Sequence, residues 1–454
     1  MSESPRELRP GGGRELMRLA WPLIISNSFW TLQLFIDRLL LARYDPDAIS
    51  AAMMTGMLFW TPFILLQTTA GYVTTFVAQY LGAGRPNRIG PIVWQGLYFS
   101  LLAGLLFLPL APAAGAVVRT VADGHPERVQ GMEIIYFRCL CWVALPALIT
   151  ATVSGFFAGR GDTWTVTLLN ASGLAVNAAL DYLWIYGHAG FPEMGIAGAG
   201  WATVAGSWAS AALGLGLMWR RRFRHQFATL AGWRFDPRQF YRLLRFGVPA
   251  GMHWFLEMSA FTVFVVLLGR FGEVEFAASS VAFNVNMVAF LPMMGVGQAV
   301  TILVGQRLGE DRPELAARST WTGLKIAWGY MTAVALLYAL WPSLFIAPFR
   351  GEAADPAKWA AIAALAQTLL LFVAVYSVFD SNNLVFAFAL RGAGDTFFVS
   401  AAALTVSWPV LVLPAWLAWR EGWSLYLPWA FLSAYVVLMG LILMARFLTG
   451  KWRT

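Results

Sequence analysis

Twelve stretches of the chain run apolar for about twenty residues or more. They cover roughly residues 18–42, 52–80, 91–117, 132–158, 164–187, 195–218, 241–268, 276–305, 317–346, 360–390, 397–419 and 425–448. A helix needs about 20 apolar residues to cross a hydrocarbon core, so each stretch predicts one membrane-spanning helix. The fold class that follows is an all-α polytopic membrane protein with twelve transmembrane helices. One span breaks its own pattern. In Leu168 to Gly187, LLNASGLAVNAALDYLWIYG, Asn177 and Asp181 stand four apart and so share a helix face. An aspartate at membrane depth is costly unless it is neutralised, hydrated or paired.

Composition agrees with this pattern. Of 454 residues, 59% are hydrophobic and 12% charged, against about 25% charged in an ordinary soluble domain. The net charge of +8 does not point to nucleic acid, because basic residues collect on one set of loops. With twelve spans, the alternate loops on the side of the termini, plus both tails, hold 22 of the 32 Lys and Arg; the opposite loops hold 8. The other two, Arg138 and Lys325, fall within spans. The positive-inside rule then predicts a multi-pass protein of the plasma (inner) membrane with both termini cytoplasmic. The densest basic cluster, Arg220, Arg221, Arg222, Arg224, Arg234, Arg238, Arg242 and Arg245, reads as a topology anchor and linker, and can also meet anionic lipid heads. Met1 to Gly13 is polar, with no small-residue cleavage site after a short apolar run, so the first span is expected to be retained. Cys139 and Cys141, two apart on one helix, cannot bridge each other.

The chain repeats itself. Ala78–Pro86, AQYLGAGRP, matches Gly305–Pro313, GQRLGEDRP, at five of nine positions and an offset of 227, which also maps Pro22 onto Pro249. Further on, GRGDT at Gly159–Thr163 matches GAGDT at Gly392–Thr396 at an offset of 233. Six extra residues in the second half explain the change. Two pseudo-symmetric six-helix bundles are expected: an N-lobe over 14–222, a basic linker over 223–240 and a C-lobe over 241–450. Six spans return the chain to the same face, so the repeats should be parallel, as in transporters that bind substrate between two halves.

The acids inside the spans do not follow the repeat. Asp37 maps to Phe264, Glu257 to Trp30, Asp181 to Pro414 and Asp380 to Ala147. Four carboxyls with so few intramembrane bases cannot all be paired. Burial favours the neutral form of a carboxyl, so such groups can take a proton or stay ionised by holding Na⁺ or an organic cation, and competition among these is the basis of antiport. Tyr376 and Asn383 flank Asp380 at helical spacing, as His253 and Trp254 do Glu257. Gly198, Ala202, Gly206 and Ser210 form a small-residue stripe on the sixth span that permits close helix packing, with Thr203 beside it. Trp21, Trp164, Trp219, Trp341, Trp419 and Trp423 fall at span ends, as belt residues do. Trp30 and Trp254 lie deeper and are candidate cavity aromatics able to stack on flat cations.

AQYLGAGRP, GFFAGRGDT, NAALDYLWIYG, GIAGAGWATV and ALRGAGDT, in this order within twelve spans, resemble the multidrug and toxic compound extrusion (MATE) transporters over essentially the whole chain. The resemblance implies two lobes around a central cleft that alternate in access. It implies export of amphipathic, mostly cationic small molecules in exchange for H⁺ or Na⁺. Asp37, Asn177, Asp181 and Thr203 match the family's N-lobe cation site; Glu257, Tyr376 and Asp380 match the C-lobe site of its NorM-type branch. No cofactor is implied, no metal beyond Na⁺ at these sites, and a monomer among membrane lipids is expected. The alternative is a lipid-linked or anionic-substrate flippase of the same superfamily, which would carry several intramembrane Arg or Lys to meet phosphate. An enzyme is not expected: the chain has no HExxH or GxSxG, and His125, His188 and His225 lie in loops or near span ends.

Overall fold

A computed structural model describes residues 9–121, 124–350 and 355–453. Arg6 and most of the polar amino terminus lie outside the described residues. No strand occurs among the described residues. Twelve long helices follow one another: α1 (Gly13–Tyr44), α2 (Pro46–Gly82), α3 (Pro86–Phe107), α4 (Glu127–Gly159), α5 (Thr163–Tyr186), α6 (Ile196–Met218), α7 (Pro237–Leu268), α8 (Glu273–Gly309), α9 (Pro313–Leu340), α10 (Pro356–Ala393), α11 (Thr396–Arg420) and α12 (Tyr426–Leu448). Among the described residues, ten of these are long and apolar enough to cross a membrane by length and composition. The remaining two are α5, which carries Asn170, Asn177 and Asp181, and α6, rich in Gly, Ala and Ser.

Two expected spans end early. The stretch 91–117 divides into α3 and a short helix Leu110–Val121, and 317–346 into α9 and a short helix Pro342–Ile346. Pro109 and Pro342 stand at the breaks; proline lacks an N–H and disfavours helical backbone in the residue before it. They are 233 apart, already the later offset of the repeat. The six extra residues therefore lie in the third helix of the second half: α9 has 28 residues where α3 has 22.

The repeated turns share a backbone. After α2, Gly84 takes φ +64° and Arg85 N–H donates to Tyr80 O at 2.9 Å; after α8, Asp311 takes φ +58° and Arg312 N–H donates to Arg307 O at 2.8 Å. Such a bond, closed through a left-handed residue, terminates a helix. After α4 and α10 the same closure runs from Asp162 N–H to Phe157 O and from Asp395 N–H to Leu390 O. The side chains then diverge. Asp162 accepts from Thr165 N–H and caps α5. Ala393 replaces Arg160 in the second turn, and Asp395 instead takes Arg446 of α12 through two hydrogen bonds, at 2.7 and 3.3 Å.

The helices gather into two compact units. One holds residues 25–251 and 309–311; the other holds the residues before 25, 252–308 and those from 312 on. Neither division falls in the basic linker. They fall within α1 and α7, two or three residues beyond Pro22 and Pro249. The linker belongs to the first unit because it is bonded to it. Trp94 Nε1–H donates to Thr229 O at 2.8 Å, and Gln95 Nε2 to Arg234 O at 3.3 Å. The Arg160 guanidinium lies 4.3 to 4.8 Å from the rings of Phe223, Phe156 and Phe227, a cation–π enclosure that ties the linker helix Arg221–Phe227 to the end of α4. Asp236 then caps α7: Gln239 Nε2 and the backbone N–H groups of Gln239 and Arg238 donate to its carboxylate and hold it below the usual carboxylate range.

In this unit α5 lies directly against α6. A Cβ on Gly173 would come within 2.3 Å of Ser210 Oγ, and one on Gly206 within 2.7 Å of Gly173 O and 2.9 Å of Asn177 Cβ. Real side chains do not approach backbone so closely, so the small-residue stripe sets the helix spacing. Gly206→Val should lower the midpoint of thermal unfolding in detergent by several degrees, whereas Gly216→Val, with open space around it, should leave it within a degree or two.

Candidate functional site

In the first unit, α1, α5 and α6 bring the four N-lobe residues together. Two contacts fix α1 along α5: Asn170 Nδ2 donates to Ser26 Oγ at 2.6 Å, and Tyr186 O–H donates to Leu40 O at 2.8 Å. Asp37 and Asp181 sit between these two contacts. Their carboxyls lie close enough to each other and to Asn177 to interact electrostatically. Asn177 Nδ2 also donates to Thr203 Oγ1 at 3.4 Å, and that hydroxyl donates back to Ala199 O at 3.0 Å. Asn177 and Asp181 have no exposed surface, and Asp37 is buried.

The acceptors outnumber the donors. Asp37 Oδ1, Asn177 Oδ1 and both Asp181 oxygens are buried without a hydrogen-bond partner. Two ionised carboxylates cannot bond each other, so the pair needs a shared proton or a cation between them. Hard carboxylate, amide and hydroxyl oxygens suit Na⁺ as well as a proton. A second buried hydroxyl, Tyr136 of α4, stands close enough to feel both aspartates. The sequence offered no helical companion to single it out. Its place depends on α4 lying close to α6, where a Cβ on Gly200 would meet Cys139 at 2.5 Å.

One more acid is buried in this unit, at the edge of a span. Glu133 of α4 is 1% exposed and accepts from or shares a proton with His125 Nδ1 at 2.9 Å. It lies at the edge of an expected span, and the loop residue His125 folds back over it; sequence spacing gave no sign of that pairing. Cys139 and Cys141 are both free and buried.

In the second unit, α7 and α10 bring Glu257 and Asp380 near each other, with Asn383 between them. Asn383 Nδ2 donates to Asp380 Oδ1 at 3.3 Å and lies within reach of Glu257. Tyr376 stands beside Asp380, and its hydroxyl accepts from Asn286 Nδ2 of α8 at 3.3 Å. Unlike Asp181, Glu257 has a firm donor: Tyr435 O–H of α12, at 3.0 Å, which in turn accepts from Ser407 Oγ at 3.2 Å. His253 Nε2 is 3.6 Å from Glu257 Oε1. Ser407 opens a wide-turned stretch of α11, Ser407–Val412, of the kind often found at functional positions. Tyr435, Ser407 and Asn286 were not legible as partners, because each comes from a different helix. Trp254 packs against the second unit's core with its ring 6.3 Å from Phe388. Trp30 is half exposed, edge-on to Trp60 at 6.2 Å. Among the described residues, no three of His, Cys, Asp and Glu gather into a metal site.

Twelve long helices, ten of them apolar enough to cross a membrane, with carboxyls buried in the first unit and partly buried in the second, define the class as a polytopic membrane protein. The MatE family model matches twice, at residues 22–183 and 249–417, its two matches starting at the repeated prolines. The chain belongs to the MATE family, and is thus a multi-pass transporter and not an enzyme. It is 33% identical over 411 residues to the probable multidrug resistance protein NorM of Xanthomonas axonopodis pv. citri, covering 87% of this chain and 85% of that one. It is 29% identical to a protein of the same name from Mesorhizobium japonicum, over 96% and 93% of the two chains. Among solved structures, a MOP superfamily transporter from Pyrococcus furiosus superposes with a TM-score of 0.87 at 19% identity, covering 97% of each chain. An outward-facing multidrug resistance MATE family transporter gives 0.86 at 20% identity, with the same coverage.

Because no protein donor reaches Asp181, replacing it should release a cost and not break a bond. Asp181→Asn, purified at neutral pH without Na⁺, should unfold at the wild-type temperature or a few degrees above it. A midpoint several degrees lower would show that a donor within the protein does hold this carboxylate.

Proposed function

We propose that this transporter exports amphipathic, mostly cationic compounds by alternating access, in exchange for H⁺ or Na⁺ taken up at the Asp37–Asn177–Asp181–Thr203 cluster. The observation that supports this is the surplus of donor-less oxygens at Asp37, Asn177 and Asp181. The names of the NorM relatives agree with multidrug export. With a cation or proton bound, the cluster is neutral enough to remain buried. When the cation leaves, negative charge is exposed in a low-dielectric site, which shifts helix packing toward the other access state or draws in a cationic drug. Coupling requires only that ion and drug stabilise different states. Glu257, Tyr376 and Asp380 form the second polar cluster on this reading, which attracts the cationic substrate or a second coupling ion. The buried acids favour cations over the anionic substrates of a flippase. Both termini face the cytoplasm of a plasma (inner) membrane, the protein works as a monomer, and division into lobes at 14–222 and 241–450 remains the functional description of the repeat.

Two measurements test this. In proteoliposomes with Na⁺ and H⁺ gradients imposed separately, wild-type protein should move a fluorescent cation against its gradient with at least one of them. Asp37→Asn, at little change in volume, should lose more than nine-tenths of that movement while unfolding at the wild-type temperature; full gradient-driven transport by a folded Asp37→Asn protein would make the cluster structural. Separately, cells expressing Glu257→Gln or Asp380→Asn at wild-type levels should lose most of their drug resistance. Wild-type resistance in both, across several pH values, would remove the second cluster from the cycle.

A further inference from the structure

On the first unit, α4, α6 and the short helix Leu110–Val121 line an open groove of about 570 Å³. Its lining includes Ala111, Pro112, Ile135, Arg138, Trp142 and Trp201. Ile135, Trp142 and Trp201 are exposed, at 42%, 46% and 39%, so the groove is open along its apolar side. The two indoles stand 6.4 Å apart, tilted by 34°. Arg138 is an exposed cation on a membrane helix, with no hydrogen bond or ion pair among the described residues. The nearest acid along α4, Glu133, is turned inward to His125.

Depth follows from helix length. From Gly159, where α4 meets its repeated turn, back to Arg138 is 21 residues, or about 31 Å at 1.5 Å each. A hydrocarbon core is about 30 Å thick. Arg138 therefore sits at the far edge of that core, where headgroups begin and where Trp side chains prefer to lie. A lone guanidinium at this level is satisfied by an anion it can grip with two parallel bonds, and phosphate has that geometry. The apolar walls call for a ligand that carries hydrocarbon beside its charge.

We propose that Arg138, with Trp142 and Trp201, forms a binding site for the phosphate of an anionic membrane phospholipid in the leaflet away from the repeated turns. The guanidinium holds the phosphodiester oxygens. The indoles flank the glycerol region, and the acyl chains follow the apolar face between α4 and α6. The lining residue Cys139 also meets Gly200 of α6. Lipid at this site thus braces the α4–α6 contact that places Tyr136 beside Asp37 and Asp181.

The test uses the full-length protein in nanodiscs containing phosphatidylglycerol with a diazirine near the head of one acyl chain. After irradiation, peptide mass spectrometry should find adducts on 135–142 or on the segment around Trp201. Arg138→Gln should reduce those adducts at least fivefold and leave adducts beside the basic linker unchanged. Arg138→Lys should retain part of the labelling. On wild-type protein, a diacylglycerol carrying the same diazirine should label these segments no more than Arg138→Gln allows, which gives the answer even if the Gln variant fails to fold. Excess inorganic phosphate should not compete. Equal labelling by diacylglycerol would mean that the groove takes any chain and would overturn the proposal, as would loss of adducts to free phosphate, which would make it a site for small anions.

Discussion

Negative charge that the protein does not neutralise by itself is the constraint from which the rest of this structure follows. Asp37 and Asp181 are buried together with more acceptor atoms than donors, and each ionised group in such surroundings costs several kcal/mol. The surrounding packing keeps them there. Glycines press α5 onto α6, side-chain bonds fix α1 along α5, and α4 closes the remaining side with Tyr136. A looser bundle would let water in and dissipate the cost. The tightness that looks like ordinary helix packing is what keeps the charge state of this cluster consequential.

The second unit treats its acids differently. Glu257 has Tyr435 as donor, backed by Ser407 at the widened turn of α11, and Asp380 has Asn383. The two halves share turn geometry, down to matching closures after the second and fourth helices, yet the Asp181 oxygens have no donor while Glu257 and Asp380 each have one. The halves share a common frame and differ chemically at single positions, such as Phe264 where the first half has Asp37.

Much of this was legible in the sequence, and the limits were physical. Long apolar runs gave the twelve helices because a bilayer allows little else. The turns showed through because a left-handed residue and a following Arg-Pro or Asp-Thr recur at fixed offsets. Asn177 with Asp181, and Asp380 with Asn383, were visible because helical spacing puts them on one face. Tyr136, Tyr435, Ser407 and Asn286 were not, since each reaches the site from a different helix and no periodicity links it to the acid it serves. The breaks at Pro109 and Pro342 were missed because the residues beyond them stay apolar. The assignment of α1's first turns to the other unit was hidden for a related reason: hydropathy records that a segment is buried, not by what.

That last feature bears on how the chain is made. Leu16 and Ala20 are fully buried in the unit built from the second half, and Glu15 pairs there with Arg307, 292 residues away. The opening turns of α1 therefore find their partners across a long stretch of chain, a long-range closure of the kind that slows assembly. Until then the buried face of this end of α1, and the Glu15 carboxylate beside it, lack those partners. A chain ending after the basic linker would leave the Leu16 and Ala20 face of these turns without the partners that bury it.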